Sequence, residues 1–147
     1  MIKFNTILFA TDFSENSDYA FDYALTMAKA FSTKLLIIHV INEPVDLQGF
    51  YVPHVTFDNL GKEIAEGAEK MLENFCNAKN MENVEYEKIV VSGVPGDEVI
   101  REAKERSADL IVLGTHGRTG LNRFLFGSTA EKVVRLAESP VMTIRKP

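Results

Sequence analysis

Lys34 to Ile41, KLLIIHVI, is apolar at every position but Lys34 and His39. A strand with one face in water alternates apolar and polar residues, whereas a strand covered on both faces has no need to. This run therefore predicts an internal strand of a parallel sheet. Asp109 to Leu113, DLIVL, has the same character, and Lys3 to Ala10 reads as a first strand through Ile7, Leu8, Phe9 and Ala10. Between these runs the apolar residues change to helical spacing. Phe21, Ala24, Leu25, Ala28 and Phe31 mark a first helix, and Ile64, Ala68, Met71, Leu72 and Phe75 a second. A third starts near Pro95, with Asp97 and Glu98 in its first turn and Val99, Ile100 and Ala103 inward; a fourth has Ala130, Val133, Val134 and Ala137. Val84 to Val91 alternates in part and reads as a strand nearer an edge, and Val141 to Arg145 closes the chain as a last strand after Pro140. Five strands and four helices in strict alternation predict one α/β domain, a parallel sheet with helices on both faces and right-handed connections.

The chain's 147 residues, 46% of them hydrophobic, fit one core rather than two. A net charge of −5 argues against general attraction to nucleic acid or to an anionic membrane, so any anion site must be local. No run approaches the ~20 apolar residues that span a bilayer, and the N-terminal run lacks a secretory pattern, so a cytoplasmic protein is expected. The single cysteine, Cys76, lies on the apolar stripe of the second helix and is expected to be a buried, inert thiol.

Chemistry concentrates between the fourth strand and the fourth helix. Gly114, Gly117, Gly120 and Gly127 punctuate a loop carrying His116, Arg118 and Arg123, and Ser128-Thr129 follows at a helix start. Glycines let backbone N–H groups approach an anion, and a helix N-terminus adds its own amides, so phosphate recognition is the natural use. The competing reading is structural: Gly114 and Gly117 make a turn, and Ser128 with Glu131 forms a capping box. Read from the residues alone, Asp12 with Glu15 can cap the first helix. Neither G-x-G-x-x-G nor G-x4-G-K-[ST] occurs, which removes the usual dinucleotide and P-loop readings. Ser92 to Asp97 departs from the S-G-G-x-D-S loop of adenylating enzymes in both sequence and position. Of the three histidines, His39 is expected to be a satisfied residue inside a strand, and His54 falls in an unassigned loop. His116 is either a phosphate or ribose contact or simply exposed. No cluster has zinc-like spacing. The stretch from Asn42 to Gly61, with Pro44, Gly49, Pro53, Phe50, Tyr51 and Phe57, is the longest loop expected, a lid or contact surface on one reading and surface packing or disorder on others.

The spacing Gly114-x2-Gly117-x9-Gly127-Ser128 resembles the G-x2-G-x9-G-[ST] motif of the ATP-binding branch of the universal stress proteins. The opening ILFATDFSENSDYAFDYA and the closing SPVMTIR are similar to that family's first and last segments, so the likeness covers nearly the whole chain. It implies a doubly wound, adenine nucleotide alpha hydrolase-like fold with strand order 3-2-1-4-5 and ATP at the C-terminal ends of the first and fourth strands. By position, it implies that Ala10 binds the ligand, that Val40 meets adenine through its main chain, and that Asp12 sits near ribose, phosphates or magnesium. Gly114, Gly117, Gly127, Ser128 and Thr129 would hold phosphates, with Arg118 and His116 close by. The resemblance also implies a homodimer through Val141 to Ile144. What it suggests is a nucleotide-responsive stress or signalling module with little or no turnover. A slow ATPase or nucleotidyl transferase using an Asp12-held magnesium is the enzyme alternative, and an interaction module with a vestigial site is the third.

Overall fold

The computed structural model describes residues 1–42, 57–116 and 126–147. Their elements run β1 (Thr6–Ala10), α1 (Glu15–Phe31), β2 (Lys34–Ile41), α2 (Phe57–Asn77), β3 (Tyr86–Ser92), α3 (Pro95–Glu105), β4 (Leu110–Gly114), α4 (Ser128–Leu136) and β5 (Val141–Ile144). The five strands form one all-parallel sheet in the order β3-β2-β1-β4-β5, as expected. Within it, Ile7 pairs with Leu35 on one side and Leu110 on the other.

The pleat sorts the apolar runs onto two faces. Ile7, Phe9, Leu35, Ile37, Leu110 and Val112 pack with Phe21, Ala24 and Ala28 of α1 and with Leu72 and Cys76 of α2. The alternate residues Leu8, Leu36, Ile38, Ile111 and Leu113 pack with Val99 and Ala103 of α3 and with Ala130 and Val133 of α4. Burial on both faces is the reason these strands show no polar alternation. Phe75 of α2 extends the first core by meeting Phe21 edge-on at 5.2 Å and Phe9 in a stacked arrangement at 6.4 Å. Cys76 lies in that core, and burial pushes its thiol pKa up. Among the described residues no helix is long and apolar enough to cross a membrane.

Several expected boundaries move. β1 starts at Thr6 rather than Lys3, because the Asp109 carboxylate takes the Asn5 and Thr6 amides at 2.7 and 2.9 Å and fixes the strand's first register position. β3 spans Tyr86–Ser92 rather than Val84 to Val91. α2 already begins at Phe57 and runs through Gly61, so the loop expected over Asn42 to Gly61 is shorter; its part at 43–56, with His54, lies outside the described residues. Phe31 and Val134, on the apolar spacings of the first and fourth helices, are half exposed.

Candidate functional site

β1 and β4 are neighbours, yet β1 leads to α1 on one face and β4 to α4 on the other. Connections that depart to opposite faces leave a crevice beyond the strands' C-terminal ends, the usual ligand position in open α/β sheets. A cleft of about 560 Å³ lies there, within the range of small-molecule sites.

The β1–α1 turn builds one wall. The Thr11 amide donates to the Ile38 carbonyl, and its buried hydroxyl lies 3.0 Å from the Ser17 hydroxyl and accepts from the Phe13 amide at 3.0 Å. Asp12 Oδ1 accepts from the Ser14 amide at 2.9 Å, and Ser14 in turn caps α1 by accepting from the Ser17 amide. Ser14 is thus the cap, and the expected pairing of Asp12 with Glu15 as a cap is not formed. Phe13 sits at φ +63°, a left-handed conformation that costs a non-glycine residue energy and that clusters at functional sites. Its ring lies 4.4 Å from the His39 ring. His39 Nδ1 is 2.9 Å from the Thr11 carbonyl, which can only accept, so Nδ1 carries the proton. His39 is satisfied inside β2, as expected, but it also lines the cleft beside Val40.

The opposite wall comes from β4 and α4. Gly114 ends β4 where the first turn of α1 crosses it: a Cβ there would stand 3.3 Å from the Asn16 carbonyl oxygen. Thr115, buried, donates its amide to the Ile144 carbonyl and accepts from the Gly127 amide at 2.7 Å, so β4's end is joined to the start of α4. The Thr115 hydroxyl is 2.8 Å from His116 Nδ1. Gly127 is the N-cap of α4 at φ −61°, ψ 156°, with no side-chain cap. Ser128 is therefore the first helical residue, and the capping box with Glu131 is not formed. Gly127, Ser128, Thr129 and Ala130 at the start of α4 line the cleft, and the first-turn amides of a helix have no partner within it.

Ala10, Asp12, Val40, Gly114, His116, Gly127, Ser128 and Thr129 all line this single cleft. Gly117, Arg118, Gly120 and Arg123 lie outside the described residues. Among the described residues the lining holds one carboxylate, Asp12, and neither lysine nor arginine. Also among the described residues, no three His, Cys, Asp or Glu side chains cluster as a metal site. A magnesium ion that takes most of its ligands from phosphates and water needs only one or two protein carboxylates, and Asp12 is the residue of the described lining that could supply one.

Sequence reasoning missed further contributors. Thr11, Ser17 and Thr115 are buried polar residues of the lining, and their types alone gave no signal. α2 supplies Ile64, Gly67, Ala68 and Met71, a place in the lining that the apolar spacing of the helix does not reveal.

A model of the Universal stress protein family matches residues 3–145. A universal stress protein of Bacillus subtilis, YxiE, is 36% identical over 147 residues, covering 97% of this chain and 99% of the relative. The solved structure of MJ0577 from Methanocaldococcus jannaschii superposes with a TM-score of 0.79 at 28% identity, covering 99% of both chains. A universal stress protein crystallised in complex with cAMP has a TM-score of 0.61 at 26% identity, with 98% of each chain covered.

Proposed function

The chain belongs to the universal stress protein family, and from that membership and the cleft we propose that it is a nucleotide-responsive module binding ATP with magnesium. The observation that carries the reading is that Asp12, Val40, Gly114, Gly127 and Ser128, distant in sequence, line one cleft at the C-terminal ends of β1, β2 and β4. A similar structure holding cAMP supports an adenine ligand.

The cleft's two ends suit the two ends of a nucleotide. Uncapped amides of α4's first turn, with the Ser128 and Thr129 hydroxyls, donate hydrogen bonds to phosphate oxygens in this reading. Ala10 and Val40 meet the base. Asp12, whose Oδ1 accepts from the Ser14 amide, would hold magnesium. Bound magnesium supplies charge neutralisation to the phosphates. Gly117, Arg118 and His116 complete the phosphate end in this reading.

Hydrolysis requires a positioned base for water as well as bound phosphate. Asp12 is the one carboxylate of the described lining, and holding magnesium occupies it. Steady-state phosphate release from MgATP is therefore expected below about 1 s⁻¹, the lower end of ordinary enzymes. Turnover at or above that rate would replace this reading with the ATPase alternative.

We further propose a homodimer. Among the described residues β5 lies at the sheet's edge and pairs with β4 along one side only, and an edge strand of four residues invites pairing with its own copy. Light scattering is expected to return twice the 16.4 kDa chain mass; a monomer at micromolar concentration would contradict the dimer.

A further inference from the structure

β1 ends at Ala10, and Thr11, Asp12 and Phe13 then carry the chain along the cleft. Thr11 is held to β2 through both of its backbone polar groups. Its amide donates to the Ile38 carbonyl at 2.9 Å, and its carbonyl accepts from His39 Nδ1 at 2.9 Å. The first bond carries the parallel ladder one step past its last pair, Ala10 with Ile38. The second comes from a side chain, and it grips the peptide unit that joins Thr11 to Asp12. A peptide unit is planar, so fixing the Thr11 carbonyl also fixes the direction in which Asp12 leaves it.

The residue after Asp12 is held as firmly. Phe13 stands at φ +63°, a conformation that persists in a non-glycine residue only where its surroundings over-determine it. Its amide donates to the Thr11 hydroxyl at 3.0 Å. Ser17 has one hydroxyl proton and gives it to the Ser14 carbonyl, so Thr11 donates to the Ser17 oxygen 3.0 Å away. The Phe13 ring packs on the His39 imidazole at 4.4 Å and on Phe75 at 6.1 Å. His39 therefore touches both neighbours of Asp12, the Thr11 carbonyl by a hydrogen bond and the Phe13 ring by its face.

We infer that His39 is a positioning residue for Asp12, holding the turn so that the carboxylate is in place for the cation of a metal nucleotide before that ligand arrives. The inference rests on the magnesium nucleotide reading above and deepens it: His39 acts through Asp12. Side chains that orient a metal ligand commonly change metal affinity by about 10- to 100-fold.

Isothermal titration with ATP, in magnesium and again in excess EDTA, separates positioning from a general loss of folding. His39→Leu keeps an apolar side chain against Phe13 but cannot donate. It is expected to weaken MgATP binding by about 10-fold or more, while ATP in EDTA binds within about twofold of wild type. His39→Asn, whose amide nitrogen takes the place of Nδ1, is expected to recover most of that loss. In an Asp12→Asn chain, adding His39→Leu is expected to change MgATP affinity by less than about twofold, because two residues acting through one group are not additive. A nitrogen-edited NMR spectrum of the wild-type chain is expected to show His39 protonated at Nδ1, and a ring protonated at Nε2 alone overturns the inference whether or not the variants fold. Equal loss in magnesium and in EDTA for His39→Leu overturns it too, as do unchanged MgATP affinity, a His39→Asn chain as weak as His39→Leu, or additive losses with Asp12→Asn. A wild-type chain that binds no ATP, or binds it equally well without magnesium, overturns the reading beneath the inference and the inference with it.

Discussion

Gly127→Val is expected to bind MgATP at least about 100-fold more weakly than the wild-type chain, a loss of about 2.7 kcal/mol, while remaining folded. Gly127 stands at φ −61°, ψ 156°, a conformation open to every residue type, so the backbone gives no reason for a glycine there. Its amide bond to the Thr115 carbonyl survives the substitution, because valine keeps the N–H. The added side chain instead stands at the N-cap, directly before the first-turn amides that the phosphates must reach. Valine is a poor N-cap, so stability falls by about 1 kcal/mol, which at this chain length lowers the melting temperature by about 4 °C. Paired calorimetric titration and thermal unfolding separate the two effects. Wild-type affinity in Gly127→Val would remove the phosphates from α4.

Gly114→Val is expected to act in the opposite sense, on folding first. A Cβ at this position already stands 3.3 Å from the Asn16 carbonyl oxygen and 3.4 Å from its carbon. Both are backbone atoms in the first turn of α1 and cannot swing aside, and the two methyl groups of valine press harder still. Overpacking of this kind costs about 3 kcal/mol, which corresponds to a melting temperature lowered by about 10 °C. Gly114→Ala, with the Cβ alone, is expected to cost about 1 kcal/mol. Chemical denaturation followed by circular dichroism measures both, and a Gly114→Val chain as stable as wild type would show that α1 and β4 are not locked together here. Two glycines of one motif thus do different things. Gly114 lets helix and strand approach, and Gly127 leaves the start of α4 uncovered.

The architecture was open to sequence reasoning because burial on both faces writes itself into each strand. Leu35 to Ile38 and Leu110 to Leu113 are all buried, alternate residues serving opposite cores. Helix stripes were equally readable, but a stripe says which face is apolar and not what covers it. Leu72 and Cys76 of α2 go to the core, while Met71, one residue away, lines the cleft. The start of α2 was misplaced because its first turns precede the apolar periodicity and contain Gly61, which a helix of 21 residues absorbs. Capping failed for a related reason. Asp12, Ser14 and Ser128 are all competent caps, and only the chain's path decides that Ser14 is used while Gly127, which has no capping side chain, precedes α4.

The same path gathers the site. Asp12 and Ser128 are brought to one crevice because β1 and β4 are adjacent and their connections diverge, a fact of strand order rather than of local pattern. His39 was readable as a satisfied strand histidine, yet its bond to the Thr11 carbonyl also ties β2 to the turn that carries Asp12. That tie depends on a contact 28 residues apart in sequence, which residue type alone does not reveal.

Titration of MgATP into the wild-type chain by isothermal calorimetry tests the central claim most directly. Saturable binding at one site per chain is expected, with a dissociation constant below about 1 mM, or a binding free energy beyond about −4 kcal/mol. No saturable heat at millimolar nucleotide and magnesium would contradict it.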